Sequence, residues 1–307
     1  MRIDLPADAA LRPAEMLLRP PRVLVFDSGL GGLTVHAELR KARPDAHFVY
    51  AADDAGFPYG RLGESDLIAR VDRVMDRLIA QHAPDIVVIA CNTASTLVLP
   101  GLRARYSLPF VGTVPAIKPA AAASASKRVS VLATAGTVKR DYTQGLITSF
   151  ASDCVVTLVG APRLAGLAED ALTGQPVGDA DIAAEIAPAF VKEGGARTDV
   201  VVLACTHYPL LQAELERLAP WPVIWIDSAP AIARRAAQLL TEQGFPSHRG
   251  ATEAAPPAKA VFTGGGTLTA TLCAALAARG LPDIAVDAMP LEESEPATDV
   301  TRVASPA

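Results

Sequence analysis

Eight short apolar runs, most of them rich in β-branched residues, punctuate this chain, and the stretches between them carry helical spacing. The runs are RVLVFD (22–27), HFVYAAD (47–53), DIVVIAC (85–91), RVSVLAT (128–134), CVVTLVG (154–160), DVVVLAC (199–205), PVIWID (222–227) and KAVFTG (259–264). Each reads as a buried strand. In ESDLIARVDRVMDRLIAQHAP apolar residues recur at 67, 68, 71, 74, 75, 78 and 79, the period of one helix face. GLGGLTVHAELRKARP reads as a Gly-rich turn and a helix that Pro44 ends, Leu97 to Tyr106 as a third helix, and TLTATLCAALAARG as one near the end. Strands alternating with helices build parallel sheets covered on both faces, so the expected class is α/β and doubly wound.

The rhythm has an internal echo. PDIVVIACNTAS and TDVVVLACTHYP share an acid, a β-branched run, an Ala-Cys pair and polar residues after it. Two similar lobes are expected: residues 22–115 plus 227–290 carrying Cys91, and residues 116–226 carrying Cys205. Residues 1–21 and 291–307, rich in Pro, Ala and acids, read as disordered tails. Open parallel sheets hold ligands at the carboxyl ends of their strands, which places the active cleft between the lobes.

Bulk composition narrows the function. Half of the 307 residues are hydrophobic and a fifth are charged, enough for a sizeable soluble core. A net charge of −5 without a basic run argues against nucleic acid as the main partner. The N-terminal stretch, broken by Pro and acids, has no secretory h-region, and no apolar run reaches the roughly 18 residues of a membrane span. The four cysteines form no CxxC pair and read as the free thiols of a cytoplasmic chain.

Cys154 starts a strand and Cys273 sits mid-helix among alanines, so both read as packing residues. Cys91 and Cys205 each lie where a strand runs out before polar residues and a new helix. A helix N-terminus lowers a thiol pKa from roughly 8.5, so both are expected to favour thiolate. Cys205 and His207 flank one residue, a poor chelate, and no four-ligand set exists, so no metal is expected. A Cys–His hydrolase would leave the second thiol unexplained. No lysine sits in a motif for a pyridoxal Schiff base, and a two-lobed binding protein would need no thiols.

In VFDSGLGGLTV, Thr34 stands where a dinucleotide fingerprint needs Gly, which leaves an anion-ready turn. Asp27 is then either a turn carboxylate or a group facing an ammonium or a thiol. Pro58, Tyr59 and Gly60 alone read as a turn, His207 is a candidate base beside Cys205, and Glu169 alone reads as a solvated helix acid.

Together, DSGLGG, PYG, ACNTAS, LATAGT and ACTHYP resemble the glutamate racemases of the cofactor-independent aspartate/glutamate racemase superfamily, from about residue 22 to 265. THYP after the second cysteine favours glutamate over aspartate. The resemblance implies that Cys91 and Cys205 are the catalytic thiols, assisted by Asp27 and His207. It implies substrate contacts from Asp27, Ser28, Tyr59, Gly60, Asn92, Thr93, Thr206 and His207, and a further catalytic acid at Glu169, in PRLAGLAE. It also implies no cofactor, glutamate as the small-molecule partner, a homodimer as a frequent assembly, and supply of D-glutamate to peptidoglycan precursors.

Overall fold

The computed structural model describes residues 19–245, 258–266 and 268–291. Along the chain come β1 (Arg22–Asp27), α1 (Leu33–Ala42), β2 (His47–Ala52), α2 (Glu64–His82), β3 (Ile86–Ile89), α3 (Asn92–Arg105) and β4 (Phe110–Gly112). Next are α4 (Ile117–Ala123), β5 (Arg128–Ala133), α5 (Ala135–Val138), α6 (Asp141–Phe150), β6 (Val155–Gly160), α7 (Leu164–Thr173) and α8 (Asp179–Ile186). A short hairpin, β7 (Lys192–Glu193) and β8 (Ala196–Arg197), precedes β9 (Val200–Ala204), α9 (Gln212–Leu218) and β10 (Ile224–Ile226). The chain closes with α10 (Ala229–Glu242), β11 (Lys259–Phe262), α11 (Ala270–Ala278) and β12 (Asp283–Val286).

The strands form two parallel sheets. One has the order β12-β11-β2-β1-β3-β4, the other β10-β9-β5-β6. Parallel strands buried on both faces need apolar residues at consecutive positions, and β3 and β9 are buried throughout. At the edge of the smaller sheet, Val155 of β6 is exposed. The first sheet has a core on each face, one under α1, α10 and α11 and the other under α2 and α3. The smaller sheet repeats the plan, with α7, α8 and α9 on one face and α4 and α6 on the other. This is the doubly wound α/β architecture that the strand–helix rhythm predicts.

Several details differ from the sequence reading. Ile68 falls outside the buried stripe of α2, which is Leu67, Val71, Val74, Met75, Leu78 and Ile79 together with Arg70. α3 starts at Asn92, not Leu97, and runs through Pro100. Pro100 removes one helix hydrogen bond, but Val98, Leu99 and Leu102 are buried against the sheet and hold the helix on either side. The short edge strands β4 and β12 and the β7–β8 hairpin were not expected. Of the expected tails, residues 1–18 and 292–307 lie outside the described residues. Arg19 to Pro21 are held: Arg19 donates to both Asp85 oxygens (2.7 and 2.6 Å), and the Pro21 carbonyl accepts from His47 N–H.

One buried junction ties the carboxyl end of β2 to its surroundings. The Asp53 carboxylate is fully buried and accepts from Arg70 (2.9 and 2.5 Å), Tyr59 Oη (2.5 Å) and Thr263 Oγ1 (2.6 Å). Arg70 also donates to the carbonyls of Met289 and Pro290, so the segment after β12 joins the same knot. Arg70→Ala would leave the Asp53 carboxylate buried without its counter-charge, bonded to the Tyr59 and Thr263 hydroxyls, and should destabilise the fold by about 3–5 kcal/mol in urea unfolding.

Candidate functional site

The site is assembled at the carboxyl ends of β1 and β3 from one sheet and β9 from the other. β1 ends at Asp27 and opens into the loop SGLGG before α1. Gly32 N–H donates to Asp27 Oδ2 (2.8 Å), which curls the loop, and Tyr50 Oη donates to the Gly29 carbonyl (2.6 Å) and holds it down. The loop then meets the other sheet's elements at close range. Leu30 N–H donates to Glu169 Oε1 (2.7 Å). A Cβ on Gly29 would lie 2.0 Å from Glu169 Oε1, and one on Gly31 2.3 Å from His207 Nδ1 and 2.7 Å from the His207 backbone nitrogen. These glycines are required by that approach, not by a dinucleotide. Thr34 Oγ1, from the start of α1, adds a bond to the Thr206 carbonyl (3.2 Å).

Cys91 caps the start of α3, buried, with its thiol directed at Ser28 Oγ (3.7 Å). The expectation of a lowered thiol pKa fails here. Burial pushes the Cys91 thiol up, the Asp27 charge adds to this, and the Ala94 N–H and Ser28 hydroxyl pull the other way without prevailing. Removing the thiolate from water outweighs the helix terminus. The charge of Cys205 also raises Cys91.

Cys205 follows β9 directly and is also buried. The next element is a 3₁₀ turn, Tyr208–Leu211, and α9 begins only at Gln212, so Cys205 does not cap a full helix as expected. Its sulfur lies 3.8 Å from His207 Nδ1. His207 Nε2 lies 2.8 Å from Glu169 Oε1, and Gly31 N–H is directed at the same nitrogen (3.2 Å). Burial lowers the His207 pKa, but bonds to Cys205 and Glu169 and the charges of Cys205 and Asp27 outweigh it, and the net direction is well upward. A ring protonated on both nitrogens donates Nε2–H to Glu169 and turns Nδ1–H toward Cys205, and in that state Nε2 no longer accepts from Gly31 N–H. Phe57 covers the ring, centroids 5.4 Å apart.

Glu169, on the inner face of α7, is buried, contrary to the solvated acid that its sequence alone implies. Asp27 is fully buried and its pKa is raised by burial, with His207 and the Gly32 and Ser28 amides acting against that. Asp27 Oδ1 and both side-chain polar atoms of Asn92 are buried with no partner among the described residues. Buried polar atoms are nearly always bonded, so three orphans beside the thiols mark where a polar ligand binds. The Tyr59 hydroxyl is held by Asp53. What Tyr59 and Gly60 can offer is backbone N–H, at the start of the 3₁₀ turn Tyr59–Arg61. Thr93 and Thr206 are buried, and Thr93 Oγ1 meets Thr134 Oγ1 at 3.2 Å.

Reading single residues missed Tyr50, Asp53, Phe57 and Thr134. Asp53 carries a signal, an acid ending a strand as Asp27 does, and Thr134 lies in the LATAGT motif; Tyr50 and Phe57 carry none. Among the described residues no group of three or more His, Cys, Asp or Glu is placed to hold a metal, and no helix is long and apolar enough to cross a membrane. Gly31→Ala should drive the His207 ring and backbone off their positions. Because a displacement near 1 Å costs about 10²-fold in rate, kcat/KM of the catalysed reaction should fall by about that factor in steady-state kinetics.

The chain matches the Asp/Glu/Hydantoin racemase family model over residues 34–236. It is 58% identical over 236 residues to the glutamate racemase of Brucella ovis, covering 76% of this chain and 85% of that one. The Brucella anthropi glutamate racemase is 59% identical over 219 residues, covering 71% of this chain and 79% of that one. Among solved structures, Escherichia coli glutamate racemase in complex with L-glutamate and the activator UDP-MurNAc-Ala superposes with a TM-score of 0.78 at 40% identity, covering 88% of this chain and 98% of that one.

Proposed function

Because this chain belongs to the Asp/Glu/Hydantoin racemase family and is therefore an amino-acid racemase, we propose that it interconverts L- and D-glutamate by moving the Cα proton between Cys91 and Cys205. The carrying observation is the arrangement of two buried thiols, one after a strand of each sheet, beside polar atoms that have no partner among the described residues. In this reading residues 22–115 with 227–290 form one lobe, 116–226 form the other, and glutamate lies between them.

The ligand's charges complement the orphans. Asp27 Oδ1 accepts from the ammonium. Asn92 Nδ2, the first amides of α3 and the hydroxyls of Ser28, Thr93 and Thr206 donate to carboxylate oxygen. The amides of Tyr59 and Gly60 offer donors to the second carboxylate, the group that distinguishes glutamate from a monocarboxylic amino acid. With one thiolate and one thiol, the thiolate removes the Cα proton from one face and the opposite S–H returns a proton to the other. The sulfurs exchange protonation states in each turnover. Following the family resemblance, Cys91 acts on D-glutamate and Cys205 on L-glutamate. His207 assists Cys205 along the Nδ1–Sγ contact, Glu169 orients and charges the His207 ring, and Asp27 lies beside Cys91. The product serves as the D-glutamate of peptidoglycan precursors, made in the cytoplasm.

The test uses purified protein with L- or D-glutamate in heavy water, following loss of the Cα–H resonance and of circular dichroism. Wild-type protein should exchange and racemise glutamate from both sides, and aspartate much more slowly. Cys91→Ala and Cys205→Ala should each lower racemisation by at least about 10³-fold, and near-normal racemisation by either variant would refute the two-thiol scheme.

A pH signature follows from the raised Cys91 thiol. Attack on D-glutamate needs Cys91 as thiolate, and its fraction grows with pH while the thiol predominates. The value of kcat/KM for D-glutamate should therefore climb between pH 6.5 and 9, by up to about tenfold per unit. L- and D-glutamate have equal free energy, so kcat/KM must be the same from either side at every pH, and the profile for L-glutamate should climb in parallel.

A further inference from the structure

We propose that Thr134 and Thr137 are positioning residues that aim the Thr93 hydroxyl proton at a substrate carboxylate. The proposal deepens the preceding reading and rests on its placing Thr93 against the substrate. LATAGT, the motif at residues 132–137, has no role in the scheme so far. Thr134 lies between the end of β5 and α5, and reaches across to the helix that carries Cys91. Its Oγ1 has three neighbours: the Thr137 N–H at 3.3 Å, Thr137 Oγ1 at 3.0 Å and Thr93 Oγ1 at 3.2 Å.

A hydroxyl has one proton and two lone pairs. The Thr137 N–H can only donate, so it occupies one lone pair of Thr134. The remaining lone pair and proton are shared between the two other hydroxyls, which leaves two directions for the row. If Thr93 donates to Thr134 and Thr134 to Thr137, the Thr137 proton must find another acceptor. Thr137 is fully buried, and Thr134 is the one hydroxyl with which its side chain pairs among the described residues. If Thr137 donates to Thr134 and Thr134 to Thr93, both buried protons have acceptors and the Thr93 proton is free to point at the substrate. An anionic carboxylate requires that second direction, and each donated proton polarises the next.

Thr134 also packs where this matters. A Cβ on Gly60 would lie 4.0 Å from Thr134 Cβ, and one on Gly136 3.9 Å from Thr93 Cγ2, so these segments run close to one another with room for about a methyl group between them. Thr143 Oγ1 donates to the Thr137 carbonyl (2.8 Å) and anchors the turn from the side of α6. The row therefore joins the second sheet to a hydroxyl of the first, and carboxylate binding strengthens a bond between them.

The test compares Thr134→Val, which keeps the shape and removes the hydroxyl, with Thr134→Ser, which keeps it, in steady-state racemisation of L- and D-glutamate. Loss of a donor that acts equally on bound substrate and transition state should raise KM about 5- to 20-fold for both enantiomers in the Val variant, with kcat within about threefold. The Ser variant should stay within about threefold of wild type in both constants. Thr93→Val alone should raise KM, and adding Thr134→Val should raise it little further, because both act through one bond. An unchanged KM in Thr134→Val, an equal loss in Thr134→Ser, or additive effects in the double variant would overturn the proposal. If Thr134→Val does not fold, Thr137→Val replaces it with the same expected rise in KM, and an unchanged KM there would overturn it too. Wild-type protein that fails to racemise glutamate would instead refute the preceding function, so the two failures are distinguishable.

Discussion

The site depends on a backbone-to-side-chain approach that no residue with a Cβ could make. The loop after β1 lies so close to Glu169 and the His207 ring that Gly29 and Gly31 have no room for a methyl group. That contact brings the two sheets into register. Leu30 N–H holds Glu169, Glu169 holds the His207 ring, and the ring meets Cys205. On the other side the same loop carries Asp27 and Ser28, which face Cys91. Thr34 to Thr206 and Thr93 to Thr134 are further bonds across the same seam. Cys91 is thus positioned by its own strand and by a loop of its own sheet, and Cys205 by its own strand and, through His207, by that same loop of the opposite sheet.

Burial governs the electrostatics of the site. Asp27, Cys91 and His207 all sit out of water, and in each the desolvation of the charged form is the largest influence on its proton affinity. Only His207, with a carboxylate on one nitrogen and a sulfur near the other, ends with its charged form favoured. A site arranged in this way holds protons at rest on Cys91 and His207 and has carboxylates close by. The unpaired oxygen of Asp27 and the unpaired amide of Asn92 are the complement of an ammonium and a carboxylate, the two groups that flank the Cα carbon of an amino acid.

Much of this was legible in the sequence because each strand is a continuous apolar run with a polar residue where it stops. RVLVFD and RVSVLAT became β1 and β5 almost residue for residue, and the residues just past their sister strands became Cys91 and Cys205. Short edge strands were not legible: Phe110–Gly112 is too brief to show a period, and Asp283–Val286 is half exposed. The start of α3 was missed because Asn92, Thr93 and Ser95 look like loop residues until their burial is known. Cys91 was expected to be acidified by its helix, and the opposite holds, because depth of burial is a property of the packed lobes and not of local spacing. Tyr50, Asp53 and Thr134 act through contacts distant in sequence, and nothing local announces the partner. The inward turn of Glu169 is of the same kind; the family resemblance pointed to that residue, while its own helix pattern did not.

The central claim is that Cys91 and Cys205 approach one substrate carbon from opposite sides. The most direct measurement is a crystal structure of this protein with D-glutamate bound. The account predicts both sulfurs within about 3.5 Å of Cα on opposite faces of the molecule, with the ammonium at Asp27 and carboxylate oxygen at Asn92. A ligand bound away from either sulfur, or with both sulfurs on the same face of Cα, would contradict it.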